Sequence, residues 1–174
     1  FLQASTVLGV GSVVGASAIL SACGDGNKMT PLKQPGEFYV PELPDKAIDG
    51  KELKVGLVGC GGRGNGAIDD LFNAANGIKV HALGDVFADR LEGARKRIME
   101  KHNQEVPAEN CFVGFDAYKQ VIDSGVDMVI LATPPVFRPI HFQYATQKGK
   151  HSFMEKPIAV DSKGYRTIMA AAKQ

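Results

Sequence analysis

Leu53-Lys54-Val55-Gly56-Leu57-Val58-Gly59-Cys60-Gly61-Gly62-Arg63-Gly64 is a short apolar run that stops at a cluster of glycines, with Ala67, Ile68, Leu71, Phe72 and Ala75 following at helical spacing. An apolar run of this length, without alternation, reads as a parallel strand buried on both faces. The residues after it mark one face of a helix, which Gly77 is expected to end. Gly59 to Gly64 fits the spacing G-x-G-x-x-G at the turn between them. In that setting the first glycine permits a tight turn and the second lets backbone approach a pyrophosphate. The third lets helix and strand pack closely, and the helix N-terminus faces the phosphate charge. The competing reading is an ordinary glycine-rich turn, so an independent feature is needed to choose between them.

That feature lies outward along the chain. Lys79 to Leu83 is a second strand, closed by Gly84 and Asp85, and Asp85 stands about 20 residues beyond the loop. A carboxylate there accepts hydrogen bonds from the adenosine ribose and repels a 2′-phosphate, which favours NAD over NADP. Arg63 and Arg90 keep NADP open, and helix capping is the plainer use of Asp85. Cys60, in a variable slot of the loop, reads as a small packed thiol, and Cys111 as core.

Strand and helix keep alternating. Leu91, Ala94, Ile98 and Met99 mark a second helix, Cys111 to Val113 a third strand, and Asp116 opens a short helix carrying Tyr118, Val121 and Ile122. Val126 to Ala132 is the most strand-like run; a helix follows Pro139 and stops at Gly149, and His151 to Met154 is a fifth strand. Asp161 then caps a last helix, with Tyr165, Ile168 and Met169 expected on its inner face. Such alternation gives an α/β fold: a doubly wound parallel sheet of Rossmann type over residues 51–174.

The preceding residues read differently. Phe1 to Ala22 contains no charged residue, is rich in Ala, Gly, Ser and Val, and closes with Leu20-Ser21-Ala22-Cys23. A span needs about 20 apolar residues, but the Gly and Ser content makes this segment weak for that task. Small residues before position 23 suit a cleavage site, so residues 1–22 are expected to be an export signal, with an uncleaved anchor as the competing reading. Leu-Ser-Ala-Cys resembles a bacterial lipobox, which implies lipidation of Cys23, and Phe1-Leu2-Gln3 resembles the end of a twin-arginine motif. Residues 23–50, interrupted by Pro31, Pro35, Pro41 and Pro44, read as an extended linker. The chain is expected to be exported, and attached to a membrane only through this signal or a lipid at Cys23. A net charge of +1 gives no electrostatic case for nucleic acid, and three cysteines without ligand-like spacing argue against a disulfide framework or a zinc site.

Two further motifs make the assignment specific. Ala132-Thr133-Pro134-Pro135 and Met154-Glu155-Lys156-Pro157 follow the fourth and fifth strands. With the glycine loop and Asp85, they resemble the glucose–fructose oxidoreductase, inositol dehydrogenase and MocA family from about Lys51 onward. The resemblance implies an NAD(P)-dependent oxidoreductase acting on a sugar or cyclitol, often oligomeric, with its acid–base histidine on a substrate domain beyond this stretch. It implies that the chain alone binds a dinucleotide without turnover. It makes Lys156 the catalytic residue supplied by this domain. Gly59, Cys60, Gly61, Gly62, Arg63, Gly64, Asp85, Thr133, Pro134, Pro135, Glu155 and Lys156 become the cofactor side of the site.

Elementary chemistry gives these groups tasks. Rigid prolines fix the loop at the carboxyl edge, where open α/β folds bind ligands. A lysine there stabilises charge developing on a substrate oxygen and shares proton transfer. Glu155 is expected to pair with Lys156 or with a loop. His141 is open to two readings, a second acid–base group or a helix-face histidine stacked near the cofactor; Arg138 touches a phosphate or substrate, or lies on the surface. His81, His102 and His151 are expected to be structural.

Free NAD is scarce outside the cytoplasm, so an exported enzyme is expected to hold its cofactor tightly, loaded before export. Three functions follow: net hydride transfer at a ring carbinol, glycoside cleavage by transient oxidation on a retained NAD, or a non-catalytic sugar- or dinucleotide-binding lipoprotein. Related hydrolases often vary Glu-Lys-Pro, which favours the first.

Overall fold

The computed structural model describes residues 52–173. The expected signal at 1–22, Cys23 and the linker at 23–50 lie outside them. Five strands, β1 (Leu53–Val58), β2 (Ile78–Asp85), β3 (Cys111–Val113), β4 (Met128–Leu131) and β5 (His151–Met154), pair in parallel in the order β3-β2-β1-β4-β5. Helices α1 (Gly62–Ala74), α2 (Ala88–His102), α3 (Ala117–Asp123), α4 (Arg138–Gln147) and α5 (Ser162–Ala171) alternate with them. The chain winds outward from β1 to β3, then returns to the other side of β1. That reversal opens a crevice at the carboxyl ends of β1 and β4, where doubly wound sheets bind ligands.

Two apolar layers hold the sheet. On one face, Ile68 of α1 and Leu91, Ala94 and Ile98 of α2 pack on Val55, Leu57, Val80, Leu83 and Ile130. On the other, Tyr118, Val121 and Ile122 of α3 and Ala145 of α4 pack on Val58, Ala82, Val129 and Leu131. The sheet is covered on both sides, which is why its strands read as continuous rather than alternating runs.

β2 carries an irregularity that strict alternation does not foretell. Val55 pairs with Val80 but Gly56 pairs with Ala82, so His81 is an extra residue. Its Nε2 lies 2.9 Å from the Ser124 carbonyl oxygen. A one-residue bulge exchanges the faces of everything after it. Ile78 and Val80 face the first layer, and after the bulge Leu83 does so too. Asp85, two residues on, is thereby turned toward the glycine loop.

Several boundaries differ from the sequence reading. α1 ends at Ala74, capped by Ala75 rather than by Gly77; Gly77, at φ 71°, turns the chain into β2 instead. Asp116 makes no side-chain cap, and its carboxylate accepts from Lys119 at 2.8 Å. Asp161 does cap α5, accepting from the Gly164 N–H at 2.6 Å. Tyr165 and Met169 are half exposed, and Ile168 with Ala171 forms the buried face; Met99 on α2 is also exposed. In each case the helix is short or strongly charged, and one residue of phase decides which apolar side chain turns inward.

A polar clamp joins α1 to α2. Asp69 accepts from Arg97 and Lys101 at Oδ2 and meets His102 Nε2 at Oδ1, all at 2.6 Å, while the His102 ring stacks on Phe72 at 4.0 Å. Burial alone would raise the carboxyl pKa, but the bonds from Lys101, Arg97 and His102 hold it well below the usual range. A lowered native pKa contributes stability that is complete above the unfolded value of about 3.9 and is lost as pH falls below it. Asp69→Ala is therefore expected to cost about 1–3 kcal/mol at pH 7, because it leaves three donors facing a gap. Urea unfolding at pH 7 and pH 3 checks this: the difference between variant and parent should shrink in acid.

Candidate functional site

The turn from β1 into α1 is built by its glycines. Gly59 adopts φ +97°, and a Cβ on it would stand 2.8 Å from the backbone of Ala132 and Thr133. A Cβ on Gly64 would lie 2.0 Å from the Gly59 carbonyl oxygen. These two positions let β1, β4 and α1 converge. Gly61 and Gly62 differ, because a Cβ at either meets nothing within 4 Å. Their backbone borders the cleft, at the N-terminus of a 13-residue helix that has neither a side-chain cap nor an acid in its first turn. The positive end of that helix is left for an anion.

Asp85 closes β2 beside this turn, only 9% exposed. Its Oδ2 accepts from the Cys60 N–H at 2.7 Å and its Oδ1 from the Phe87 N–H at 2.9 Å. The carboxylate thus ties the glycine loop to the start of α2 and is held rigidly at the cleft wall, with a lone pair on each oxygen still free for a hydroxyl. Cys60 sits behind the loop, 2% exposed, its thiol 3.5 Å from the Gly84 carbonyl. Burial first, and then the Asp85 charge, push that thiol up to about 12, so it is a packed and unreactive group.

On the other side of β1, Thr133 and Pro134 follow β4. The Thr133 Oγ1 lies 3.2 Å from His141 Nδ1, and the His141 ring stacks on Tyr118 with centroids 4.1 Å apart. Burial lowers the His141 pKa to about 4, so the ring is neutral at physiological pH. That suits the stacking reading and not a proton carrier at neutral pH.

The cleft has a volume of about 560 Å³. Gly59, Gly61, Gly62, Arg63, Gly64, Asp85, Thr133 and Pro134 all line it, as do Arg90, Tyr118, Phe137 and His141. Cys60, Pro135, Glu155 and Lys156 do not. Lys156 is exposed at the same carboxyl edge and forms no ion pair or hydrogen bond among the described residues, and its bond to Pro157 is cis. Glu155 is buried and pairs with Arg63 of the glycine loop rather than with Lys156.

Sequence reasoning left Arg138 undecided and missed its task. The side chain is 5% exposed. Its Nε donates to the Thr133 carbonyl at 2.7 Å, and one terminal nitrogen donates to the carbonyls of Glu155, at 2.5 Å, and Pro157. It binds the loop after β4 to the loop after β5. Nothing in a linear sequence marks a buried arginine whose partners are backbone oxygens 5, 17 and 19 positions away.

Bare backbone at a helix N-terminus, a fixed carboxylate at the end of β2 and one cleft lined from the end of β2 across β1 to the loop after β4 define a dinucleotide-binding α/β domain. The residues present fit a dinucleotide: open space over Gly61 and Gly62 for the pyrophosphate, and Asp85 within the same cleft for a ribose. Residues 53–174 match the family model for the Gfo/Idh/MocA oxidoreductases, described as an oxidoreductase family with an NAD-binding Rossmann fold, and the chain belongs to that family.

Two curated relatives illustrate its range. A glycosyl hydrolase family 109 protein of Streptomyces coelicolor is 31% identical over 150 residues, 85% of this chain and 30% of its own length. Inositol 2-dehydrogenase 4 of Saccharopolyspora erythraea is 32% identical over 124 residues, 71% of this chain and 34% of its own length. The fold is shared with myo-inositol dehydrogenase of Lactobacillus casei, solved with NAD(H) and myo-inositol, at TM-score 0.57 and 22% identity over 68% of this chain and 32% of that one. The chain thus spans about a third of the length of the relatives it matches.

Proposed function

We propose that the protein uses a retained NAD to move hydride to and from a ring carbinol carbon of a sugar or cyclitol. The observation that carries this is the open backbone of Gly61 and Gly62 facing the same cleft as the fixed Asp85 carboxylate. Bound there, the nicotinamide supplies a two-electron hydride acceptor and donor. Asp85 takes the adenosine ribose hydroxyls and disfavours a 2′-phosphate, so NAD is preferred to NADP. Gly61 and Gly62 offer backbone N–H groups to the pyrophosphate. Thr133 and Pro134 wall the nicotinamide end, and Pro135 stiffens the loop behind them. Lys156 is positioned by its loop to meet the substrate oxygen, where an ammonium steadies developing negative charge.

A second reading has its own support. The match to the family 109 glycosyl hydrolase covers 85% of the chain, more than the domain supplies, whereas that to the inositol dehydrogenase covers 71%. Similarity to the glycosidase therefore reaches back into the segment before Leu53. In this reading a sugar carbon is oxidised, the adjacent C–H loses its proton, the glycosidic substituent leaves, water adds and the hydride returns. No net redox occurs. Both readings suit an exported protein with residues 1–22 as signal, Cys23 as lipid anchor and a tightly held cofactor. In the second the hydride returns to the same sugar, and in the first a second, carbonyl substrate takes it from the held NADH. The intact Lys156 weighs against a binding lipoprotein without catalysis.

The test is to purify the full-length protein without added nucleotide, denature it and quantify the NAD(H) and NADP(H) released. Near-stoichiometric NAD supports the proposal. Protein that is empty and fails to bind added NAD or NADP overturns both enzymatic readings. Incubating the loaded protein with sugars and aryl glycosides in D₂O then separates them: ketone product without exchange marks the dehydrogenase, cleavage with deuterium beside the oxidised carbon the glycosidase.

A further inference from the structure

We infer that His141, braced by Thr133, holds the carboxamide of the nicotinamide ring at the β4 end of the cleft; this rests on the dinucleotide reading above. His141 lines the cleft yet is only 6% exposed. A neutral imidazole has one donor and one acceptor nitrogen. Nδ1 is engaged by Thr133, whose hydroxyl has no other partner among the described residues. The hydroxyl is satisfied if it donates to Nδ1, and that arrangement places the ring proton on Nε2. Nε2 has no hydrogen-bond partner among the described residues, and it is absent from the polar atoms that are sealed off without one. It is a donor kept in contact with open space by a ring that is otherwise packed, against Tyr118 at 4.1 Å and Phe137 at 6.2 Å.

A donor held at the edge of an otherwise packed ring is offered to whatever fills the cleft, and a ligand atom that accepts from it gains a hydrogen bond of fixed direction. Donating its hydroxyl hydrogen to Nδ1, Thr133 fixes the tautomer that carries the ring proton on Nε2. The wall therefore presents a neutral donor, which suits the carboxamide carbonyl, the hydrogen-bond acceptor carried by the nicotinamide ring. The order of the other features selects that group. Asp85 takes the adenosine ribose at the end of β2 and the glycine loop takes the pyrophosphate at the end of β1, which leaves the end of β4 for the nicotinamide. Burial keeps the ring uncharged, and a neutral donor avoids repelling the positively charged oxidised nicotinamide.

The test compares NAD with ADP-ribose, which lacks only the nicotinamide, by calorimetric titration of the full-length protein freed of nucleotide with charcoal. His141→Phe keeps an aromatic ring for the Tyr118 stack and removes both nitrogens. It is expected to weaken NAD about ten-fold and to leave ADP-ribose unchanged. Thr133→Val should move NAD in the same direction by a smaller factor, again sparing ADP-ribose. Equal losses for both ligands, or no loss for NAD, would overturn the inference while leaving the dinucleotide site standing. Parent protein that binds neither ligand would overturn the dinucleotide reading itself, and this inference with it. Retained ADP-ribose affinity also reports that each variant has folded.

Discussion

Gly64→Ala is expected to destabilise the protein by about 3 kcal/mol and to abolish dinucleotide binding. The added Cβ would stand 2.0 Å from the Gly59 carbonyl oxygen and 3.0 Å from Leu57 Cδ1. The leucine tip can yield, but the carbonyl cannot. Gly59 is fixed by its N–H, which donates to Gly84 O at 2.8 Å, and by the close backbone of Ala132 and Thr133 behind it. Helix α1 would have to lift from β1, carrying its N-terminus away from the cleft. Two neighbours in the same turn serve as controls. Gly66 sits within α1 with open space where a Cβ would go, so Gly66→Ala should gain about 0.5–1 kcal/mol from helix propensity. Gly61→Ala also meets no protein atom, so its stability should barely change. Its methyl would instead enter the space over the loop, and NAD affinity should fall. Urea unfolding and NAD titration of the three variants check the pattern. Equal behaviour of all three would mean that these glycines are not divided between packing and ligand approach.

That division was half legible in the sequence. The spacing of Gly59, Gly61 and Gly64 after an apolar strand identified the turn, because few other structures require three glycines there. The order of strands and helices was legible too, since β1 and β4 read as short apolar runs without alternation, set between segments of helical spacing. Asp85 was found by its distance from the loop, but not the reason it faces the loop. The bulge at His81 turns it there, and a one-residue insertion leaves no mark on composition or spacing. The inner face of α5 was misread because Tyr165, Ile168 and Met169 are all apolar and only packing against neighbours ranks them. Arg138 was illegible for a different reason: its partners are carbonyl oxygens, which every residue has.

Arg138→Met is the substitution that exploits what the sequence hid. The guanidinium satisfies carbonyls of Thr133, Glu155 and Pro157 from a site 5% exposed to solvent. Methionine fills a similar volume but offers no donor, so three acceptors lose their charged partner in a largely dry environment. The expected loss is about 3 kcal/mol. Lysine keeps the charge without the planar fork that reaches three oxygens at once, so Arg138→Lys should recover only part of it. The damage should also be local. The β1–β2 core rests on α1 and α2 and does not involve Arg138, whereas the loops after β4 and β5 are joined through it. Amide hydrogen exchange should therefore quicken around residues 133–137 and 155–160 while Val55, Leu57 and Val80 stay protected. Because the first loop carries Thr133 and the second Lys156, a full-length Arg138→Met protein should keep ADP-ribose affinity and lose turnover. Uniform loss of protection across the sheet would instead make Arg138 a general support of the fold, with no special bearing on the two loops it connects.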